Sequence, residues 1–148
     1  MNQKNNCNCQ CSECGNNAAN DKVLIISWQR LISDGNTCPR CGSTESELDK
    51  AVELLKNTLG SLGVKVRLQK IELTLEEFEK NPIKSNSIYF NGTVLEDLIE
   101  AKPGKSQCCD VCGDNECRTL ESEGKSYEVI PANIIIKAGL IAGAKIIN

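Results

Sequence analysis

The ten cysteines of this chain are its side chains best suited to chemistry, and their spacing narrows what that chemistry is. They form three tight clusters: Cys7, Cys9, Cys11 and Cys14; Cys38 and Cys41; and Cys108, Cys109, Cys112 and Cys117. Disulfide frameworks of secreted domains spread cysteines apart to close loops, whereas metal sites and redox sites group them. The clusters therefore predict thiol redox chemistry or the binding of a thiophilic metal.

The central motif, Cys38-Pro39-Arg40-Cys41, stands where a long helix is predicted to begin. The free N–H groups and positive dipole end of a helix stabilise an anion, which lowers the pKa of a thiol placed there. Arg40 adds a neighbouring cation. We expect Cys38 to be the attacking thiolate and Cys41 the resolving thiol in disulfide exchange. The same pair can instead hold a soft cation, because thiolates prefer zinc, copper(I) and heavier thiophilic ions.

The C-terminal cluster of Cys108, Cys109, Cys112 and Cys117 predicts a second sulfur site. Adjacent cysteines do not easily form an unstrained mutual disulfide, but with a third thiol they supply a trigonal or tetrahedral sulfur set. A structural zinc ion and a functional soft-metal site fit this spacing equally well. An iron–sulfur cluster is a third and less favoured interpretation, because the spacing is not a standard one. A further interpretation is a thiol relay that exchanges disulfides or a bound ion with Cys38.

The N-terminal cluster lies in a polar tail, residues 1–21, that has almost nothing to bury. We expect this tail to be disordered unless a metal or a partner holds it. Its four thiols, from Cys7 to Cys14, are enough for a complete metal site, since metal binding can replace a hydrophobic core. A delivery arm and a Cys-rich extension without function are the alternatives.

Composition excludes several other functions. The net charge of −3 over 148 residues argues against nucleic acid or an anionic membrane as the main partner. The chain has no histidine, which excludes Ser-His-Asp and Cys-His catalysis and histidine-ligated zinc. The polar residues 2–6 lack the apolar core of a secretion signal, so we expect a reducing, cytoplasmic compartment. The apolar stretch 134–147 is shorter than the about 20 residues of a membrane span, which predicts a core-facing helix.

Hydrophobic periodicity predicts one α/β domain over residues 22–148, with the order strand, helix, strand, helix, hairpin, helix. The elements are a buried strand from Val23 through Trp28, a helix with an apolar stripe from Leu48 to Leu62, a strand at Val64–Leu68, a helix opened by a capping box at Thr74 and Glu77, a hairpin around Asn91-Gly92, and a third helix from Leu95. A Cys-rich loop over residues 105–118, a hairpin around Glu123-Gly124 and a last helix after Pro131 complete the domain.

This order, with Cys38-Pro39-Arg40-Cys41 at the start of the long helix, resembles the thioredoxin-like fold, a three-layer sandwich with a mixed sheet flanked by helices. More narrowly, the chain resembles a Cys-rich thioredoxin-like family of anaerobic microbes. The matching pieces are Trp28-Gln29-Arg30-Leu31, Thr37 to Cys41, Ser85-Asn86-Ser87, Asn91-Gly92, and Cys108 to Gly113 with Cys117-Arg118-Thr119. The resemblance covers about residues 22–144, and it implies selenoprotein relatives connected with soft metals or organometals.

One departure from thioredoxins concerns the place of the cis-proline that faces the dithiol, where this chain has Ser85-Asn86-Ser87. The absence of that proline opens space beside the sulfurs and favours capture of a metal or metalloid. We therefore expect a thiol protein that exchanges disulfides with a protein partner, without a required cofactor, or that binds and relays zinc or another thiophilic metal(loid). The alternative is a structural zinc-ribbon interaction module, because Cys-x-x-Cys-Gly occurs three times.

Overall fold

The first sheet contains the strands that the apolar runs predict, and the long helix connects its two parallel strands. The computed structural model describes residues 22–32, 39–107 and 116–147. Four strands, β1 (Lys22–Leu31), β2 (Val64–Leu73), β3 (Ser87–Phe90) and β4 (Thr93–Val94), form a sheet in the order β2-β1-β3-β4. Strand β1 is parallel to β2 and antiparallel to β3. A parallel pair needs a crossover connection, and here that connection contains the helix that carries the motif.

The crossover helix, α1 (Pro39–Gly60), buries one apolar stripe against the sheet. Leu48, Ala51 and Leu55 are fully buried, as the helical spacing predicts. The predicted stripe is wrong at its end, because Leu62 lies beyond the helix and is 57% exposed. Gly63 takes a φ of +85° in the turn to β2, a conformation that favours glycine and ends the helix.

Local sequence signals fix the next elements, α2 (Leu75–Lys80), a 3₁₀-helix (Pro82–Lys84), the β3–β4 hairpin and α3 (Leu95–Leu98). The capping box is confirmed: the N–H of Glu77 donates to Thr74 Oγ1 at 3.1 Å, and the Thr74 N–H donates to Glu77 Oε1 at 2.9 Å. The hydrogen bond from the Thr74 N–H, followed by the one from the Thr74 hydroxyl, lowers the pKa of the Glu77 carboxyl. The Asn91-Gly92 hairpin is also confirmed, with φ of 51° and 87° as a type I′ turn requires.

A second sheet follows, formed by β5 (Lys102–Gln107), β6 (Glu116–Ser122) and β7 (Lys125–Tyr127) in the order β5-β6-β7. The predicted hairpin around Glu123-Gly124 joins β6 to β7. Strand β5 was not predicted, and both ends of the expected loop 105–118 lie in strands, at residues 105–107 and 116–118. Pro103 concealed β5 in the sequence, and the fold accommodates it because β5 lies at the edge of its sheet.

The last helix, α4 (Ala132–Ile147), packs against α1 and the first sheet, as predicted for a core-facing helix. Its buried face includes the small residues Ala138, Gly139, Ala142 and Gly143, so the two helix backbones approach closely. A Cβ atom added at Gly143 would lie 2.7 Å from Leu59 Cδ2, and one at Gly139 would overlap the δ-carbons of Leu55. Among the residues that the structure describes, no helix is long and apolar enough to cross a membrane.

The architecture is therefore the mixed α/β arrangement that the sequence predicts, with a mixed sheet flanked by helices. Its strand order and crossover helix are compatible with a thioredoxin-like fold. The three-stranded second sheet is an additional unit beside the 3₁₀-helix.

The close approach of α4 to α1 can be tested with glycine substitutions. We expect Gly139→Ala to lower the free energy of unfolding by about 1 kcal/mol, because overpacking costs about 1–3 kcal/mol and outweighs the gain in helix propensity of about 1 kcal/mol. The matched control is Gly60→Ala, since an added Cβ there meets nothing within 4 Å. Urea unfolding of both variants measures the difference, and a Gly139→Ala protein more stable than its parent would contradict the packing.

Candidate functional site

The start of α1 meets the segment Ser85-Asn86-Ser87 beside the end of β1, and this meeting point is the candidate site. Cys41 is the third residue of α1, is only 2% exposed, and places its Sγ 3.8 Å from Ser85 Oγ. Cys38 directly precedes the helix in the sequence and lies outside the described residues. The structure therefore shows the inner thiol of the motif buried on the first helical turn, facing a hydroxyl group.

Buried side-chain hydrogen bonds hold the segment 85–87 in place. Ser85 Oγ accepts a hydrogen bond from the backbone N–H of Leu31 at 3.1 Å. Asn86 has a φ of +59°, and its Oδ1 accepts from Trp28 Nε1 at 3.0 Å. Asn86 Nδ2 donates to Thr44 Oγ1 at 3.2 Å. The segment thus contacts both β1 and α1, so its polar groups fix the distance between the sheet and the helix start.

The same turn of α1 also binds the start of α4. Thr44 Oγ1 accepts a second hydrogen bond, from the Ile130 N–H at 3.3 Å. Glu47 Oε1 accepts from the Ala132 N–H at 2.9 Å, at the first residue of α4. A hydrogen bond from Lys50, followed by the one from Ala132, lowers the pKa of the Glu47 carboxyl. Glu47 therefore remains charged where it caps the helix.

Arg40 connects the motif to the second sheet. Its Nη2 donates to the backbone oxygen of Gln107 at 2.8 Å and lies 3.4 Å from Glu128 Oε2. Ser106 Oγ donates to the same Glu128 oxygen at 3.2 Å. The sequence suggested that Arg40 would act as a cation beside the thiolate, whereas its described contacts are to the end of β5 and to Glu128. Its position brings the end of β5, directly before Cys108, beside the motif.

Of the C-terminal cluster, Cys117 is the member that the structure describes. It lies in β6 opposite Ser106 and is 2% exposed. Cys108, Cys109 and Cys112 lie outside the described residues, as do Cys7, Cys9, Cys11 and Cys14 of the tail. Within residues 22–32, 39–107 and 116–147, no group of three side chains is placed to hold a metal ion.

A buried ion pair beside Cys117 was not anticipated from the sequence. Arg118 Nη2 lies 2.9 Å from Glu96 Oε2, Arg118 Nη1 donates to the backbone oxygen of Ile83 at 2.6 Å, and both charged side chains are at least 93% buried. The pair joins β6, α3 and the 3₁₀-helix that leads into Ser85. No local pattern marks it, because its partners are 22 residues apart in the sequence.

The ion pair predicts that a single variant loses more free energy of unfolding than the double variant. Arg118→Met leaves Glu96 buried without its partner, so we expect a loss of about 3–5 kcal/mol in the free energy of unfolding. The double variant Glu96→Leu with Arg118→Met should recover most of that loss, because it removes both buried charges. Lys80→Ala breaks the exposed pair with Glu76 and serves as the control, with an expected loss below about 0.5 kcal/mol. Equal losses in the single and double variants, measured by urea unfolding, would contradict this role.

Comparison with known proteins identifies a family for most of the chain. A curated relative, described as an uncharacterized protein of Archaeoglobus fulgidus, is 49% identical over 112 residues, which cover 76% of this chain and 82% of the relative. No solved structure gives a significant match. The family model described as a domain of unknown function, DUF2703, matches residues 24–139, a span that runs from β1 into α4 and includes the second and third cysteine clusters. The chain therefore belongs to the DUF2703 family.

Proposed function

We propose that this protein is a cytoplasmic, thioredoxin-like thiol-disulfide oxidoreductase that uses Cys38 and Cys41. The observation that carries the proposal is the position of Cys41, buried on the first turn of the crossover helix that follows β1. Cys38 directly precedes Pro39, the first helical residue, where free backbone N–H groups favour a thiolate. The motif thus combines one thiol at the helix boundary with one that bulk solvent does not reach.

The burial of Cys41 supports different roles for the two thiols in disulfide exchange. The Cys38 thiolate attacks one sulfur of a partner disulfide, and the other partner sulfur leaves as a thiolate. Cys41 then attacks the Cys38 sulfur in the mixed disulfide, which releases the second partner thiol. The partner gains two electrons, and the Cys38–Cys41 disulfide is formed. A buried Cys41 does not compete for external disulfides, and it follows Cys38 by three residues in the sequence.

The helix at the motif also weighs against the zinc-ribbon alternative. A ribbon knuckle is normally followed by a strand, whereas Cys41 lies inside a helix of 22 residues. The buried apolar stripe of that helix attaches it to the sheet by hydrophobic packing. We therefore favour disulfide exchange over a structural zinc module.

Capture of a soft metal or metalloid by the same thiols is the second candidate. Ser85, rather than a proline ring, faces Cys41, with 3.8 Å between Oγ and Sγ. A hydroxyl can hydrogen-bond a thiolate. Because it is also smaller than a pyrrolidine ring, Ser85 leaves more space for an ion between two sulfurs. The preference of thiolates for copper(I), zinc and heavier thiophilic ions supplies the affinity.

Disulfide exchange predicts different outcomes for the two cysteine variants. We expect Cys41→Ser to accumulate a mixed disulfide between Cys38 and a disulfide substrate such as insulin, because the resolving thiol that would release the substrate is missing. Cys38→Ser should trap no mixed disulfide and should lose insulin reduction. Non-reducing gels and intact-mass spectrometry, with anaerobically purified protein, detect the adduct.

The matched control is Ser43→Ala, an exposed hydroxyl variant on the same turn of α1, which should reduce insulin at the parent rate. If both cysteine variants reduce insulin as the parent does, disulfide exchange by this motif is refuted.

The metal candidate predicts stoichiometric binding under anaerobic conditions. Titration with zinc, copper(I), arsenite or mercury(II), followed by native mass spectrometry, should show an added ion. Cys41→Ser should lower the affinity for that ion at least about tenfold, since one of two sulfur ligands is lost. Ser43→Ala again serves as the control. Absence of any added ion, or binding that is equal in Cys41→Ser, would remove this candidate. Unfolding of the first sheet by a chelator would instead favour the zinc-ribbon alternative.

A further inference from the structure

The outer edge of β2 is an unpaired strand edge within the part of the chain that the structure describes. Strand β2 ends the sheet order β2-β1-β3-β4 and pairs with β1 along its whole length, from Val64 to Leu73. The other edge strand of that sheet, β4, has only two residues. An edge strand of ten residues presents a row of backbone N–H and C=O groups that another strand can bind.

The parallel register shows which backbone groups of β2 point outward. The Leu73 carbonyl accepts a hydrogen bond from the Ile32 N–H at 3.3 Å, so the backbone groups of Leu73 point toward β1. Because these directions alternate along a strand, Arg67 also bonds β1, whereas Val66 and Leu68 direct their N–H and C=O groups away from it. No described residue makes a backbone hydrogen bond to those outward groups. The first half of β2 therefore offers donors and acceptors at the sheet edge.

Cations flank this edge on both faces of the sheet. The exposed side chains of Lys65 and Arg67 lie on the face opposite the buried Val64 and Val66. Lys56 belongs to α1, which packs on the face where the two valines are buried. The three cations line one cavity of about 500 Å³ together with Val64, Val66, Gly60 and Gly63.

The charge of this half of β2 is opposite to that of the chain as a whole. The chain has a net charge of −3, yet neither Lys56 nor Arg67 forms an ion pair with a described residue. Farther along β2, by contrast, Lys70 is paired with Glu45 and Asp49. Uncompensated cations and outward backbone groups therefore coincide in the first half of the strand.

We propose that residues 64–68 of β2, the docking edge, bind an acidic, extended segment of a partner protein, which joins the sheet as an outer strand. The backbone of the segment bonds the outward groups of Val66 and Leu68, and its acidic side chains meet Arg67 on one face and Lys56 on the other. Neighbouring side chains of a strand point to opposite faces, so consecutive acidic residues fit best. The same cations disfavour β2 of a second copy, which would bring like charges together.

The docking edge is distant from the candidate thiol site. Leu31 of β1 pairs with Leu73, at the far end of β2, and Cys41 faces the Ser85 hydroxyl that bonds the Leu31 N–H. At about 3.3 Å per residue, Val66 lies roughly 23 Å from Leu73 along the strand. Binding of the acidic segment therefore needs no thiol chemistry, and it is separable from the proposed disulfide exchange.

The experiment uses a fluorescently labelled acidic peptide, Thr-Val-Glu-Glu-Glu-Val-Thr, and the reduced, full-length protein. Fluorescence anisotropy measures the affinity, and residue-resolved hydrogen exchange by NMR locates the bound peptide. We expect the peptide to slow exchange of the Val66 and Leu68 N–H groups, because it supplies their missing acceptors. The Arg67 N–H, which already bonds β1, should exchange at an unchanged rate.

Charge and backbone pairing are tested separately. The double variant Lys56→Gln with Arg67→Gln should weaken binding about tenfold, since each opposite-charge pair across strands is worth about threefold in affinity. The matched control is Lys102→Gln with Lys125→Gln, which removes two exposed lysines of the second sheet and should bind as the parent does. Of two peptides N-methylated on opposite strand edges, one should lose binding and the other should keep it, because a strand pairs through one edge.

The possible results decide the proposal. Equal binding by the double variant and the parent, or by both N-methylated peptides and the unmodified one, refutes it. Slow exchange of Val66 and Leu68 before peptide is added would mean that this chain or a second copy already covers the edge, which also refutes it. Tighter binding of a single-stranded oligonucleotide than of the peptide would assign the cations to nucleic acid instead. Cys41→Ser should bind the peptide as the parent does, so failure of disulfide exchange leaves this test unaffected.

Discussion

The buried amide of Asn86 is the constraint on which the candidate site depends. Its oxygen accepts from Trp28 of β1 and its nitrogen donates to Thr44 of α1, so one side chain spans the sheet and the helix. Each of these groups is buried, and a lost bond would leave it without water as a replacement partner. The left-handed φ of Asn86 is tolerated for the same reason. The neighbouring Ser85 hydroxyl is thereby held at Cys41, which gives this site a polar wall.

Two arginines, each next to a cysteine in the sequence, connect the second sheet to this site. Arg40 precedes Cys41 and donates to the Gln107 carbonyl, while Arg118 follows Cys117 and donates to the Ile83 carbonyl. In both cases the guanidinium contacts a backbone oxygen of another element and a carboxylate. Arg118 does so through Nε, Nη1 and Nη2, a fork that lysine cannot reproduce, whereas Arg40 makes both contacts through Nη2. The second sheet is thus attached to the helix start and to the segment before Ser85 by charged groups rather than by apolar packing alone.

Signals within a few residues of one another predicted their elements well. The capping box at Thr74, the Asn91-Gly92 turn and the apolar stripe of α1 each act locally, and each predicted element is present. Strand β5 was missed because Pro103 and Gly104 weaken a strand pattern, and the strand depends on pairing with β6. The contacts of Arg40 and Arg118 were missed because residue type alone does not reveal a partner distant in the sequence. The motif itself was located by cysteine spacing, and the helix start was predicted correctly, but the burial of Cys41 and its hydroxyl neighbour depend on the tertiary fold.

The edge position of β5 also affects how this cysteine-rich chain meets other molecules. An outer strand with free N–H and C=O groups is a template for joining sheets between chains, and a proline interrupts the donor row. Within the described part of the chain, the opposite edge, β7, has only three residues, and β2 at the edge of the first sheet carries Lys65, Arg67 and Lys70. These edge strands discourage aggregation by strand pairing between chains. Such aggregation would bring thiols of many copies together and allow non-specific disulfides to form between them. Contacts between copies of the chain are thereby left to side chains.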